Sequence, residues 1–363
     1  MRGNRGLAVA LSLLVLLAAG AVLALWLWWL TRVDGLTRVL WLVLGGVVLW
    51  GVLPRSERAP KHARLLAVDE AADLHRLVGS VATAVGARTP RRIVVDIGYR
   101  IQVLPTGYVG GSTLVVGLPQ WSVLTPDERV AALAHELACA ETRRRPPGLL
   151  GRLANDVLVG LVSVLAPVPN PLSTASTDRL DLLVGKHGGG DTMMEGRIGR
   201  GLARGAGNAG LALVGAPVRG VLGLHTRLWR PVLQQSALDA DRAAADVAGA
   251  KPLRSVLLST VGVPFGVSAA ENAARTGHDP LVALEAAERP DRSELDRRVT
   301  VAGDAAVDAL HPPTARRLEA LAGHAGVASG RVDRAADLGA DADVRRVHDD
   351  LRDWLADKLR GGR

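Results

Sequence analysis

The chain has 363 residues, 48% hydrophobic and 22% charged, with a net charge of +8. That balance excludes both a disordered chain and one immersed throughout in lipid. A single cysteine excludes an intrachain disulfide framework and points away from an extracellular location. Nucleic acid is not expected as a partner. Residues 1–64 hold +6 of the +8, flanking apolar runs, where basic residues set membrane topology and do not line a phosphate-binding face. Forty arginines against four lysines, with abundant Ala and Gly, point to a GC-rich bacterial genome.

In chain order, the first element is an uncharged run of 24 residues, Leu7–Leu30. At about 1.5 Å per residue it exceeds the roughly 30 Å of a bilayer core. Trp26, Trp28 and Trp29 cluster at its far end, where amphipathic rings favour the membrane interface. A second, shorter run, Val39–Leu53, lies between Trp41 and Trp50 and spans only if Arg38 snorkels and the bilayer thins. The short turn between them, with Asp34-Gly35, forces an antiparallel hairpin. Arg2 and Arg5 precede the hairpin, and Arg55, Arg58, Lys61 and Arg64 follow it, so both ends are expected on the cytoplasmic side. A cleaved signal peptide is the weaker reading, because the apolar run continues past Ala19-Gly20-Ala21 and a second run follows.

Residues 65–86 read as an amphipathic helix with Leu66, Ala71, Leu74, Leu77 and Val81 on one side. Three β-like runs follow: Ile93–Val95, Ile101–Leu104 and Thr113–Val116, separated by proline and glycine. Thr125-Pro126-Asp127-Glu128 has the form of a capping box, opening a helix that runs through His135 and ends before Pro146-Pro147-Gly148. Val157–Thr177 and Gly205–Val218 are apolar enough to be re-entrant, spanning or simply buried, and the sequence does not choose. The Gly-rich stretch 184–210 lacks the Gly-Lys-Ser/Thr ending of a phosphate loop and reads as a connection. Helical pattern returns at 220–249 and 252–276, and the tail, 341–360, aligns Val344, Val347, Leu351, Trp354 and Leu355. The fold class expected is α+β, mostly α: a transmembrane hairpin at 1–58, a helical domain with a small β-sheet at 59–325, and a helical tail at 326–363. Extra membrane-associated helices are possible near 157–171 and 205–227.

The chemistry sits on the capped helix, which reads Ala134-His135-Glu136-Leu137-Ala138-Cys139. Two histidines four residues apart on one helical face bind zinc in the zincins, and the glutamate between them polarises the attacking water. Here Cys139 stands at the second ligand position; a thiolate binds zinc, but the shorter side chain draws the metal toward the helix. His-Glu-x-x-Cys alone is a weak motif, and a His–Glu pair on a helix is more often an ordinary solvated pair.

The surrounding segments sharpen it. The runs AADLHRLVGSVATAVG, RRIVVDIGYRIQVLPTGYV, LVVGLPQWSVLTPDERVAALAHEL and ALDADRAAADVAG occur in that order. They are followed by His311-Pro312-Pro313-Thr314 and the pair Arg316-Arg317. In this order the chain resembles the HtpX-like and CAAX-protease-like membrane zinc metallopeptidases, gluzincins of His-Glu-x-x-His type, especially their actinobacterial members. The resemblance implies a zincin-like domain facing the cytoplasm from a multi-pass bacterial cell membrane protein. It implies zinc as cofactor and a polypeptide substrate or client as partner. It puts His135 at the first zinc ligand, Glu136 at the general base, and Asp241 at the residue that orients a ligating histidine. Cys139 stands for the second histidine, and Ala237, without a donor atom, for the glutamate ligand. Asp239 is expected on the opposite helical face and is a poor substitute. Two readings follow: a zinc endopeptidase with an altered His/Cys site, or a pseudopeptidase whose metal chemistry is lost or impaired. In the family an edge strand receives extended peptide; whether Leu114–Val116 does so, or is a plain structural hairpin, stays open.

Overall fold

The computed structural model describes residues 2–52, 63–106, 111–165, 207–259, 266–302, 312–324, 332–333 and 335–360. The chain divides into two compact units, neither contiguous in sequence.

The first unit holds α1 (Arg2–Leu30), α2 (Gly35–Val52), α6 (Pro146–Leu165) and the part of α7 (Gly207–Ala248) up to Leu233. Its surface is apolar: Leu14, Leu17, Leu25, Val43, Val47 and Trp50 are all exposed. Among the described residues, two helices are long and apolar enough to cross a membrane, Arg5–Leu30 and Pro146–Val164; the apolar stretch of α2, Gly35–Trp50, is shorter. Gly35, with φ of +63°, makes the turn into α2. A small polar cluster is buried inside this unit. Ser12 donates to the Ala8 carbonyl (2.8 Å), accepts from Trp229 Nε1 (2.9 Å) and lies 3.1 Å from His225 Nε2. Gly151 on α6 leaves the room that the Trp229 indole fills.

The second unit is a four-stranded sheet wrapped by helices. Its strands are β1 (Arg64–Leu66), β2 (Arg92–Asp96), β3 (Ile101–Thr106) and β4 (Gly111–Gly117), in the order β1-β2-β4-β3. β1 runs antiparallel to β2, β2 parallel to β4, and β4 antiparallel to β3. Leu114–Val116 therefore lies in the interior of the sheet, with Ile93–Val95 on one side and Ile101–Leu104 on the other, and is not an edge. The hairpin connection brings β3 outside β4, and that ordering is invisible in strand propensity. Gly117 ends β4 where the backbone of Gly98–Arg100 crosses: its N–H donates to the Arg100 carbonyl at 2.6 Å, and a Cβ would collide with the Gly98 carbonyl oxygen.

The helix expected over 65–86 begins only at Ala72. Residues 64–66 form β1, with Leu65 and Leu66 opposite Val94 and Ile93. α3 (Ala72–Ala84) is started by a distant group, since the N–H groups of Asp73 and Leu74 both donate to Asp343 Oδ2 at 3.1 Å. α4 (Leu118–Val123) leads into α5 (Pro126–Arg144), and Glu128 accepts from the Thr125 N–H at 2.8 Å, one half of the expected capping box. The other carboxylate oxygen of Glu128 accepts from Arg289 at 2.9 Å, and the Ser255 hydroxyl donates to it too.

The region expected as one helix at 252–276 is two, α8 (Ala250–Ser259) and α9 (Val267–Arg275). Conversely, 205–218 and 220–249 are not separate, because α7 runs through Pro217 and Pro231. Then come α10 (Pro280–Ala286), α11 (Arg292–Ala302), α12 (Thr314–Ala322), α13 (Ala335–Arg345) and α14 (His348–Arg360). The tail thus breaks at Arg346–Val347, and Val344, Val347, Leu351 and Leu355 join the main core with Leu74, Val95, Trp121 and Leu133. Most of 157–177, and His311, fall outside the described residues.

Candidate functional site

α5 carries the motif. Its inward face buries Val130, Ala131, Leu133, Ala134 and Leu137, and acidic residues at its start and arginines at its end match the helix dipole. His135 and Cys139 share one face a turn apart, both buried, while Glu136 is half-exposed. Cys139 Sγ lies 3.6 Å from His135 Nε2, and on the other side of the ring Nδ1 lies 2.8 Å from Asp241 Oδ1. Asp241 is brought in by α7 and is fully buried. Ala237, one turn earlier, is buried as well, whereas Asp239 points outward and pairs with Gln235 and Arg242.

A fourth group completes the cluster. Arg317, at the first turn of α12, donates from Nε to Asp241 Oδ2 at 2.8 Å and from a terminal nitrogen to Oδ1 at 2.6 Å. The same terminal nitrogen lies 3.2 Å from His135 Nε2 and 3.4 Å from Nδ1, almost equally far from both ring nitrogens. Arg316 is exposed, so of the arginine pair only Arg317 enters the site. The sequence flagged that pair only through the resemblance. A buried arginine needs a buried acid, but nothing local says the acid is Asp241.

The electrostatics follow from this stacking of charges. Burial alone would pull the His135 imidazolium down, but the charges of Cys139 and Asp241 outweigh it and raise the group to about 10. Burial would lift the Asp241 carboxyl, but His135 and Arg317 hold it well below the ordinary carboxylate range. Burial likewise disfavours the Arg317 cation, and Asp241, Cys139 and Glu136 more than restore it.

No family model matches the sequence, and no solved structure matches it. The chain is 29% identical over 112 residues to "Protease HtpX homolog 1" of Sulfurisphaera tokodaii, an alignment covering 31% of this chain. The chain spans only 36% of that relative's length. The likeness is to an HtpX-type peptidase and reaches no further than that stretch.

Whether the site suits a zinc ion is decided by its donors. The 3.6 Å between Sγ and Nε2 is the separation expected of two ligands about 2.3 Å and 2.1 Å from one tetrahedral zinc. A third donor is needed, and the position one turn from Asp241 offers only the Ala237 methyl group. Asp241 cannot stand in, because its oxygens are engaged by His135 Nδ1 and Arg317. Among the described residues no group of three or more His, Cys, Asp or Glu could hold a metal ion. The donor set is therefore short of a catalytic zinc site.

Proposed function

We propose that this is a membrane-anchored protein of HtpX-like peptidase type in which zinc-dependent proteolysis is lost or impaired. The observation that carries the reading is Ala237, buried without a donor atom where the metal's third ligand belongs. Glu136 keeps the position of the general base, but a carboxylate without a polarised water has nothing to deprotonate. The role left to the domain is to bind polypeptide. Extended chain would add to β3, which among the described residues pairs with β4 alone. The apolar surface of the first unit supports membrane residence, and the basic flanks of the hairpin favour a multi-pass arrangement with both ends in the cytoplasm.

Full-length protein in mild detergent is expected to contain no stoichiometric zinc and to leave casein intact with or without chelator. Stoichiometric zinc that Cys139→Ala abolishes would sink this reading. It would favour a second one, an active endopeptidase with an altered His/Cys site, for which the Sγ–Nε2 spacing is the supporting observation. Cys139→His combined with Ala237→Glu is expected to restore zinc binding, because it supplies the missing third donor and puts a second histidine in place of the thiol.

A further inference from the structure

Three helices of the first unit meet at one point. Ser12 of α1 accepts from Trp229 Nε1 of α7 at 2.9 Å, and the Trp229 indole lies over Gly151 of α6, where a Cβ would stand 2.5 Å from it. At about 1.5 Å of rise per residue, seven residues of helix cover roughly 10 Å. Arg5, Arg145, Arg152, Arg227 and Arg230 all lie within that reach of the meeting point along their own segments. Arg145 sits at the entrance of α6, where its carbonyl accepts from the Leu149 N–H at 3.0 Å. The segments concerned, 5–19, 145–158 and 222–233, contain a single acid, Asp156, which stands 3.7 Å from Arg152. The other four arginines are exposed and have no ion pair among the described residues.

We propose that these arginines form a collar that binds the phosphates of anionic phospholipids at one face of the membrane. The proposal rests on the reading that the chain is membrane-anchored, and it adds the class of lipid that the anchor selects.

Two arguments carry it beyond ordinary surface charge. The first is the lack of counter-charge. Three separate segments bring guanidinium groups to one level of the unit, and the fold supplies one carboxylate among them, so the balancing negative charge comes from outside the chain. A guanidinium fork matches phosphate oxygens, and a leaflet rich in anionic headgroups attracts basic residues close to its surface. The second is what lies between the arginines. Leu7, two residues from Arg5, is 60% exposed, and Leu224, three residues from Arg227, is 50% exposed. A free phosphate or a nucleic acid would leave those side chains wet, whereas a phospholipid covers them with its acyl chains while its headgroup meets the arginines. The chemistry recognised is thus a phosphodiester attached to hydrocarbon.

The test uses full-length protein in mild detergent, offered equal amounts of dioleoyl phosphatidylglycerol and dioleoyl phosphatidylcholine, with the retained lipid counted by native mass spectrometry. Phosphatidylglycerol is expected to be retained about tenfold over phosphatidylcholine, and added sodium phosphate at the lipid's concentration to leave that ratio unchanged. This comparison needs no variant, so a substitution that fails to fold cannot obscure it. The triple change Arg145→Gln, Arg227→Gln and Arg230→Gln is expected to bring the ratio close to one, and the same three positions changed to lysine to keep most of it. Arg38→Gln, near the far end of α1, is expected to have no effect. Equal retention of the two lipids by the native chain, or a preference that survives the triple glutamine change, overturns the collar. Displacement by sodium phosphate also overturns it, in favour of a site for free anions. All three leave membrane residence and the zinc reading untouched. Release of the chain from membranes by alkaline carbonate overturns the anchor and the collar together.

Discussion

Asp241 accepts hydrogen bonds from two residues on two other helices, and its ionisation couples their packing to pH. A carboxyl held below its ordinary value contributes stability above its unfolded pKa of about 3.9 and loses it as pH falls through the folded value. Acid should therefore open this cluster only well below pH ~4. Arg317→Met removes one of the two groups holding the carboxyl down. It leaves a buried carboxylate short of a partner, at a cost of about 3–5 kcal/mol at neutral pH. The expected result is a lower thermal midpoint and an acid-unfolding midpoint moved to higher pH, both read by far-UV circular dichroism; an unmoved acid midpoint would contradict the pairing. His135 has the opposite sign. Its raised value contributes stability that is complete below about 6.5 and lost as pH rises through about 10. At this scale helical spacing put His135 and Cys139 one turn apart on one face, whereas Asp241 was singled out only through the resemblance. Arg317 was not legible as a partner. A guanidinium 76 residues from its carboxylate has no local signature, and only burial makes the pairing obligatory.

Elements were legible where hydrophobic period and capping agree, and illegible where a distant residue sets the boundary. α5 shows the first case: Thr125, Pro126 and Glu128 mark its start, and the helix begins at Pro126. α3 shows the second. Leu66 fits a helical stripe with Leu74 and Leu77, yet it pairs in β1, and the helix start is fixed by Asp343 from α13. Asp343→Ala is expected to leave the Asp73 and Leu74 N–H groups without their acceptor, costing about 1–2 kcal/mol. Native-state hydrogen exchange should then show faster exchange confined to the first turn of α3 and the facing end of α13; a uniform change across the domain would argue against this cap. Gly117 poses the matching test for the sheet. With the Gly98 carbonyl where a Cβ would go, Gly117→Ala forces the crossing backbones apart, at about 1–3 kcal/mol. Gly79→Ala is the informative contrast: nothing lies within 4 Å of a Cβ there, so the substitution is expected to raise the melting temperature, since alanine is the better helix former. Equal destabilisation by both would mean that helix propensity and clash had been misjudged together.

For the molecule as a whole, the hairpin was legible because length and apolarity suffice, but the other helices of its unit were legible only as apolar stretches without clear bounds. α6 carries Arg152 and Asp156 inside its apolar stretch, 3.7 Å apart and one turn from each other, and that pairing masks the run in a scan for uncharged residues. α7 was read in two parts, an apolar stretch at 205–218 and a helical pattern at 220–249, yet it is one continuous helix through Pro217 and Pro231. With α1, α2, α6 and the first part of α7 in one compact unit, that unit exposes much apolar surface, and Ser12 inside it accepts from Trp229 Nε1 and lies 3.1 Å from His225 Nε2. The topology proposed above would have the turn at Thr31–Asp34 outside and residue 363 in the cytoplasm. Alkaline phosphatase inserted at Asp34 is expected to be active and the same enzyme fused after residue 363 inactive, because it folds only where disulfides form. The full chain is expected to remain with the membrane pellet through alkaline carbonate extraction. Activity at the C-terminal fusion would reverse the orientation, whereas release by carbonate would overturn the membrane assignment itself and return the exposed leucines of α1 to the role of a protein-binding surface.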